Sequence, residues 1–120
     1  MPQIILVDDD PLNVQLLKLL LEMEGYDVTT ARDTRHAKAC ITSQVNAFVI
    51  DYQLGGHETG LQLVQDIRAA HTAADPATLI IVTSGNQQWS QAVLEAGANR
   101  FLLKPFPPGE LTTELRSLLT

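Results

Sequence analysis

A parallel α/β sheet with helices on both faces is the fold class this chain predicts, and three observations predict it. Short apolar runs recur without alternation: Ile4-Ile5-Leu6-Val7, Phe48-Val49-Ile50 and Leu79-Ile80-Ile81-Val82. Strands buried on both faces read this way, whereas strands with one wet face alternate. Amphipathic helical segments of ordinary length alternate with these runs. The connections are short, and no linker, repeat or low-complexity segment interrupts them. At 120 residues the chain reads as one domain, residues 1–120, long enough to bury a core without staples.

Each element has its own signal. The first run stops at Asp8-Asp9-Asp10-Pro11, and Pro at a first helical position behind an Asp makes Asp10 the expected N-cap. The helix that follows places Leu12, Leu16, Leu19, Leu20 and Met23 on one stripe, with Gln15, Lys18 and Glu22 elsewhere. Gly25 closes it as a C′ residue. Tyr26 to Thr30 reads as a short strand, and Asp33 to Thr42 as a helix with a thin apolar stripe of Ala37, Cys40 and Ile41. Ala47 to Ile50 is the third strand. Gly60 to Ala70 is a helix with Leu61, Leu63, Val64 and Ile67 inward. The loop Ala73-Ala74-Asp75-Pro76 leads to the fourth strand, Leu79 to Val82, and Gln88 to Ala96 is a short helix closed by Gly97. Phe101 to Leu103 is the fifth strand, and Gly109 to Leu119 the last helix, with Leu111, Leu115, Leu118 and Leu119 as its apolar face.

The bulk numbers exclude some functions. A formal charge of −6 argues against nucleic acid or an anionic membrane as a direct partner. The single cysteine, Cys40, cannot pair within the chain and is expected to act as a small apolar group. No basic leader precedes Ile4 and no apolar run approaches a membrane span, so a cytoplasmic location is the expectation.

Four of the five strands end in a polar functional group: Asp8 and Asp9, Asp51, Thr83 or Ser84, and Lys104. In a parallel sheet all carboxyl ends lie on one edge, where ligands bind in open α/β folds. Three carboxylates gathered there repel one another unless a cation intervenes. A hard, oxygen-seeking ion such as Mg²⁺ answers that need. A lysine and a hydroxyl beside them supply donors, and the set has the parts for binding and transferring a phosphoryl group. One Asp could then serve as nucleophile and form an acyl phosphate. Taken singly, each residue is more often a cap or a solvated charge.

Ile-Leu-Val-Asp-Asp-Asp-Pro at the start, an Asp after the third strand, a hydroxyl after the fourth and Lys-Pro-Phe after the fifth strongly resemble the receiver domain of two-component response regulators. The resemblance covers essentially the whole chain and implies a single-domain flavodoxin-like (βα)5 fold with strand order 2-1-3-4-5. It implies Asp51 as phosphoacceptor, Asp9 as direct metal ligand, Asp8 as holder of metal-bound water, and the main-chain carbonyl of Gln53 as a further ligand. The cofactor would be Mg²⁺ or Mn²⁺. Lys104 would pair with the phosphoryl oxygens, and its bond to Pro105 would be cis. A sensor histidine kinase or phosphotransfer protein would donate the phosphoryl group. The face of the fourth helix, fifth strand and fifth helix would then change shape toward a downstream protein or output domain, and phosphorylation-linked homodimerisation is compatible with it. Such a domain catalyses only its own phosphorylation and dephosphorylation; it is not an enzyme acting on a separate substrate. Gln53 would orient the water that resets it.

Three departures stand out. The family usually carries Pro four residues after the phosphoacceptor, where this chain has Gly55, and the loop to Gly60 is one residue longer than the commonest pattern; both predict a looser loop. The segment from Thr83 to Lys104 is one residue short, so Thr83 is the expected switch hydroxyl with Ser84 as alternate. The aromatic switch position is Phe101, often Tyr in the family, and it has no hydroxyl to bond with.

Other residues are expected to be bland. His57 should be exposed in its loop, neither phosphohistidine nor metal ligand, and His36 and His71 lie on helix surfaces. Trp89 is expected to pack partly against the sheet, and Asn13 to sit on a solvated face. Among rival functions, an aspartyl phosphatase would carry two acids spaced by one residue on the first strand and would need a cap. A flavodoxin would have a Ser/Thr/Gly phosphate loop where this chain has three acids. A phosphorylation-independent pseudo-receiver, acting as a protein-interaction module, is the remaining alternative. No output domain is legible, so the chain reads either as a stand-alone protein or as a module of a longer regulator.

Overall fold

A computed structural model describes all 120 residues. Five strands form one sheet in the order β2-β1-β3-β4-β5, every neighbouring pair parallel. They are β1 Gln3–Val7, β2 Asp27–Ala31, β3 Ala47–Asp51, β4 Leu79–Ser84 and β5 Arg100–Leu103. The helices are α1 Pro11–Met23, α2 Thr34–Cys40, α3 Gly60–Arg68, α4 Ser90–Ala96, preceded by a 3-10 turn at Gln87–Trp89, and α5 Pro108–Leu119. This is the flavodoxin-like arrangement, with β1 and β3 flanking the point where the strand order reverses.

The sheet separates two cores. Ile4, Leu6, Val49, Ile81 and Leu102 face α1 and α5, where they meet Leu17, Leu21, Leu111 and Leu115. Ile5, Val7, Phe48, Ile50, Ile80 and Val82 face α2, α3 and α4. The three unalternating runs are thus buried on both faces, as their composition predicts.

The caps follow the expected chemistry. The Asp10 carboxylate accepts from the Leu12 N–H with Pro11 in the first helical position, and Asp33 does the same for His36. Gly25 and Gly97 stand just past α1 and α4 with positive φ. Helices α2 and α3 end two residues earlier than their sequence patterns, at Cys40 and Arg68, and α2 starts one residue later.

One expectation about the core fails. Leu12, Leu16, Leu19 and Met23 do not face the sheet; they are exposed, Leu12 by 77% and Met23 by 75%. The buried stripe of α1 is Leu17 and Leu21, with Val14 partly covered beside them. Both stripes have helical spacing, because α1 is leucine-rich all round, so periodicity offered two solutions. Packing of Val14, Leu17 and Leu21 against Ile4, Leu6 and Val28 chose between them.

Candidate functional site at the carboxyl edge of the sheet

Strand register decides which side chains meet at the edge. Asp51 lies beside Thr83, and Thr83 beside Leu102. In a parallel sheet, paired residues point to the same face. Asp51 and Thr83 therefore share the α1/α5 face with Leu102, and Lys104, two residues on, follows the same alternation. Ser84 has the opposite parity, and its hydroxyl already accepts from the Asn86 N–H at 3.1 Å. Thr83, by contrast, makes no side-chain hydrogen bond and is buried beside Asp51.

Asp8 continues the β1 ladder, donating its N–H to the Ala31 carbonyl. Carboxylate oxygens of Asp8, Asp9 and Asp51 all lie within 4.8 Å of one another. The Lys104 ammonium stands 3.4 Å from Asp51 Oδ2 and 3.7 Å from Asp8 Oδ2. One lysine against three acids leaves the cluster negative. The Asp51 carboxyl is pushed up from 3.8 to about 6. Burial is the largest cause; Lys104 opposes it, Asp8 adds to it, and hydrogen bonds from Lys104 and the Gln53 main chain draw it partly back. Oxygen donors and surplus negative charge suit a hard divalent cation, and they do not suit a soft one.

The loop after Asp51 forms one wall of a cleft of about 540 Å³ that reaches from Asp9 and Asp51 to His57 and Trp89. Gln53 pairs with Thr59 as an antiparallel bridge, and Gly60 donates its N–H to the Tyr52 carbonyl. Gly55 has φ +83°, which no proline can adopt, and a Cβ there would stand 3.1 Å from Asp9 Oδ2. The longer loop thus turns over the acids on Gly55 and Gly56. Leu54 is buried under it, and Glu58 accepts from the Thr34 hydroxyl at 2.7 Å, a contact to α2. Gly60 is fixed by contact, since a Cβ would meet the Asp51 carbonyl at 2.6 Å.

Trp89 packs against the core as expected and also stacks on Tyr52, ring centres 4.5 Å apart. Its indole Nε1 is buried without a partner. His57 and His36 are exposed, and Phe101 is half-buried on the α4 side with Val82. The Lys104–Pro105 peptide is cis. Asn13 corrects the sequence reading. It is half-buried, not solvated, and its side-chain amide donates to Asp8 Oδ2 at 2.5 Å. Its place in the first turn of α1 gave no signal of this, since an Asn there reads the same whether it faces water or a carboxylate.

An acid cluster with one lysine, at the switch point of a flavodoxin-like sheet, defines the class: a doubly wound domain that gathers Asp8, Asp9, Asp51 and Lys104 at the carboxyl edge of its sheet. The family model for the response regulator receiver domain matches residues 4–116. The transcriptional regulatory protein AruR of Pseudomonas aeruginosa is 32% identical over 98% of this chain and 49% of its own length. A CheY-like receiver from Methanospirillum hungatei superposes with a TM-score of 0.88 at 27% identity, covering 99% of this chain and 94% of that one. The response regulator TrrA of Thermotoga maritima, solved in complex with Mg(2+)-BeF, gives 0.87 at 27% identity over 99% and 100%. The chain belongs to the response regulator receiver domains of two-component signal transduction. It spans about half the length of the curated relatives it matches. No helix is long and apolar enough to cross a membrane.

Proposed function

We propose that the domain is a phosphorylation-controlled switch in which Asp51 accepts a phosphoryl group from a phosphohistidine. The observation that carries this reading is the gathering of Asp8, Asp9 and Asp51 within 4.8 Å, with Lys104 3.4 Å from Asp51. Mg²⁺ or Mn²⁺ would be held by Asp8, Asp9, Asp51 and the Gln53 main-chain carbonyl, and when bound it screens the acids and the incoming phosphoryl charge. Asp51 Oδ attacks phosphorus, the P–N bond to the donor imidazole breaks with its electron pair leaving on nitrogen, and an acyl phosphate results. Lys104 then faces the new phosphoryl oxygens, and the Thr83 hydroxyl, on the same face of the sheet, donates to one of them. Movement of Thr83 pulls β4 and its following loop, and Phe101 on the adjacent strand responds, which biases the α4–β5–α5 surface toward its active form. Water opens the acyl phosphate and restores Asp51, with Gln53 placed to orient it.

The partners are a histidine kinase or phosphotransfer protein on the input side, and a downstream protein or output domain on the other. Intact mass of the chain with beryllofluoride or a small phosphodonor tests the reading. An adduct that requires both Mg²⁺ and Asp51, absent from Asp51→Asn, is the expected result. A folded wild type that forms no adduct would leave a receiver that works by binding alone.

A further inference from the structure

We infer that Asn13 is a positioning residue for Asp8, holding that carboxylate toward the cation and reserving Lys104 for Asp51. This deepens the reading of the acids as a cation site and rests on it. Asp8 is 3% exposed, so water cannot fix its orientation and protein donors must. Its Oδ1 accepts the Asp10 N–H at 2.9 Å and its Oδ2 accepts the Asn13 amide at 2.5 Å. Both donors belong to the turn that starts α1, so Asp8 is gripped from the helix side.

The second consequence concerns Lys104. Its ammonium stands 3.7 Å from the same Asp8 Oδ2 that Asn13 bonds, and 3.4 Å from Asp51 Oδ2. A bare Asp8 Oδ2 would attract the ammonium more strongly than any neutral donor. With the amide in the nearer place, Lys104 stays between the two acids and leans to Asp51. The neutrality of Asn13 matters as much as its reach. A cation there would cancel part of the charge Asp8 offers to the metal, and an acid would add a fourth repelling carboxylate. A carboxamide orients without altering charge, the arrangement by which groups behind metal ligands commonly tune affinity.

The test is Mg²⁺ titration of the wild type, Asn13→Leu, Asn13→Ala and Asp9→Asn. It is read by fluorescence of Trp89, the one tryptophan and part of the cleft wall, and by the Mg²⁺-dependent rise in melting temperature. Leu keeps the side chain's size without a donor, and Ala keeps the helix. The expected result is about a tenfold weaker Mg²⁺ affinity in both Asn13 variants, with the metal-free variants still unfolding cooperatively, at a somewhat lower temperature because buried Asp8 loses a donor. Wild-type affinity in both would overturn the role of Asn13 and leave the cation site standing. Weakening in only one of the two would assign the effect to packing and overturn it as well. A wild type as unresponsive to Mg²⁺ as Asp9→Asn would remove the cation site, and this inference with it.

Discussion

Asp51 is held where its charge is least welcome, and that is a statement about stability as well as chemistry. Its carboxyl titrates near 6 in the folded, metal-free protein against 3.8 ordinarily. A carboxyl with a raised folded-state value favours the fold when neutral, so its benefit is complete below about pH 4 and is lost as pH rises past 6. Denaturant unfolding in chelator should therefore show the wild type losing stability between pH 4.5 and 7 relative to Asp51→Asn, which at pH 7 should be the more stable of the two. Parallel pH profiles for the two proteins would contradict this account of the site. The residue types at the site were readable in the sequence because acids, hydroxyl and lysine each end a strand. Asn13 was not, since an Asn in a first helical turn has the same signature whether it faces water or a carboxylate.

At the scale of elements, α1 is the instructive case. Leu17 and Leu21 lie under the helix against Ile4, Leu6 and Val28, while Leu12, Leu16, Leu19 and Met23 lie on its outer side. Leu17→Ala or Leu21→Ala should cost about 2–5 kcal/mol through lost burial and the cavity left behind. Leu12→Ser or Leu19→Ser should change stability by no more than about 0.5 kcal/mol, as exposed substitutions do. Chemical denaturation of the four variants checks both, and equal losses in the two pairs would mean the helix is rotated from the orientation described. The remaining helices were legible because each has only one apolar stripe. The boundaries of α2 and α3 were less so, since their last turns lack a strong stop signal and contacts with the sheet end sooner than the helical pattern.

For the whole molecule, one side chain ties distant parts of the chain together. The Arg68 guanidinium, at the end of α3, donates to the carbonyls of Pro76, Thr78 and Gly97 and to the Asn99 side chain. It thereby joins the loop before β4, the end of α4 and the start of β5. Burial lowers its pKa, and Asp75 works in the opposite direction. Arg68→Ala should cost about 2–4 kcal/mol because it strips partly buried carbonyls of charged donors. Arg68→Lys should recover little, since one ammonium cannot span that set. A thermal unfolding curve for Arg68→Lys that matches wild type would show the network to be incidental. Nothing in the local sequence announces this role, because the acceptors are main-chain groups that any residue carries.

What the sequence by itself determined was the class and the composition of the site. Unbroken apolar runs demand a sheet covered on both faces, a helix between each pair of consecutive strands demands parallel order, and parallel order sends every strand's last polar residue to one edge. Those steps need only local chemistry and chain connectivity. Tertiary structure decided the choices on which local chemistry is silent. The register of β3 on β4 placed Thr83, and not Ser84, on the face of Asp51. The packing of α1 on the sheet selected Leu17 and Leu21 over an equally periodic stripe. The close approach of the same helix to Asp8 turned Asn13 inward. Each depends on which surfaces meet in space, and a periodic pattern along one chain carries no record of what it meets.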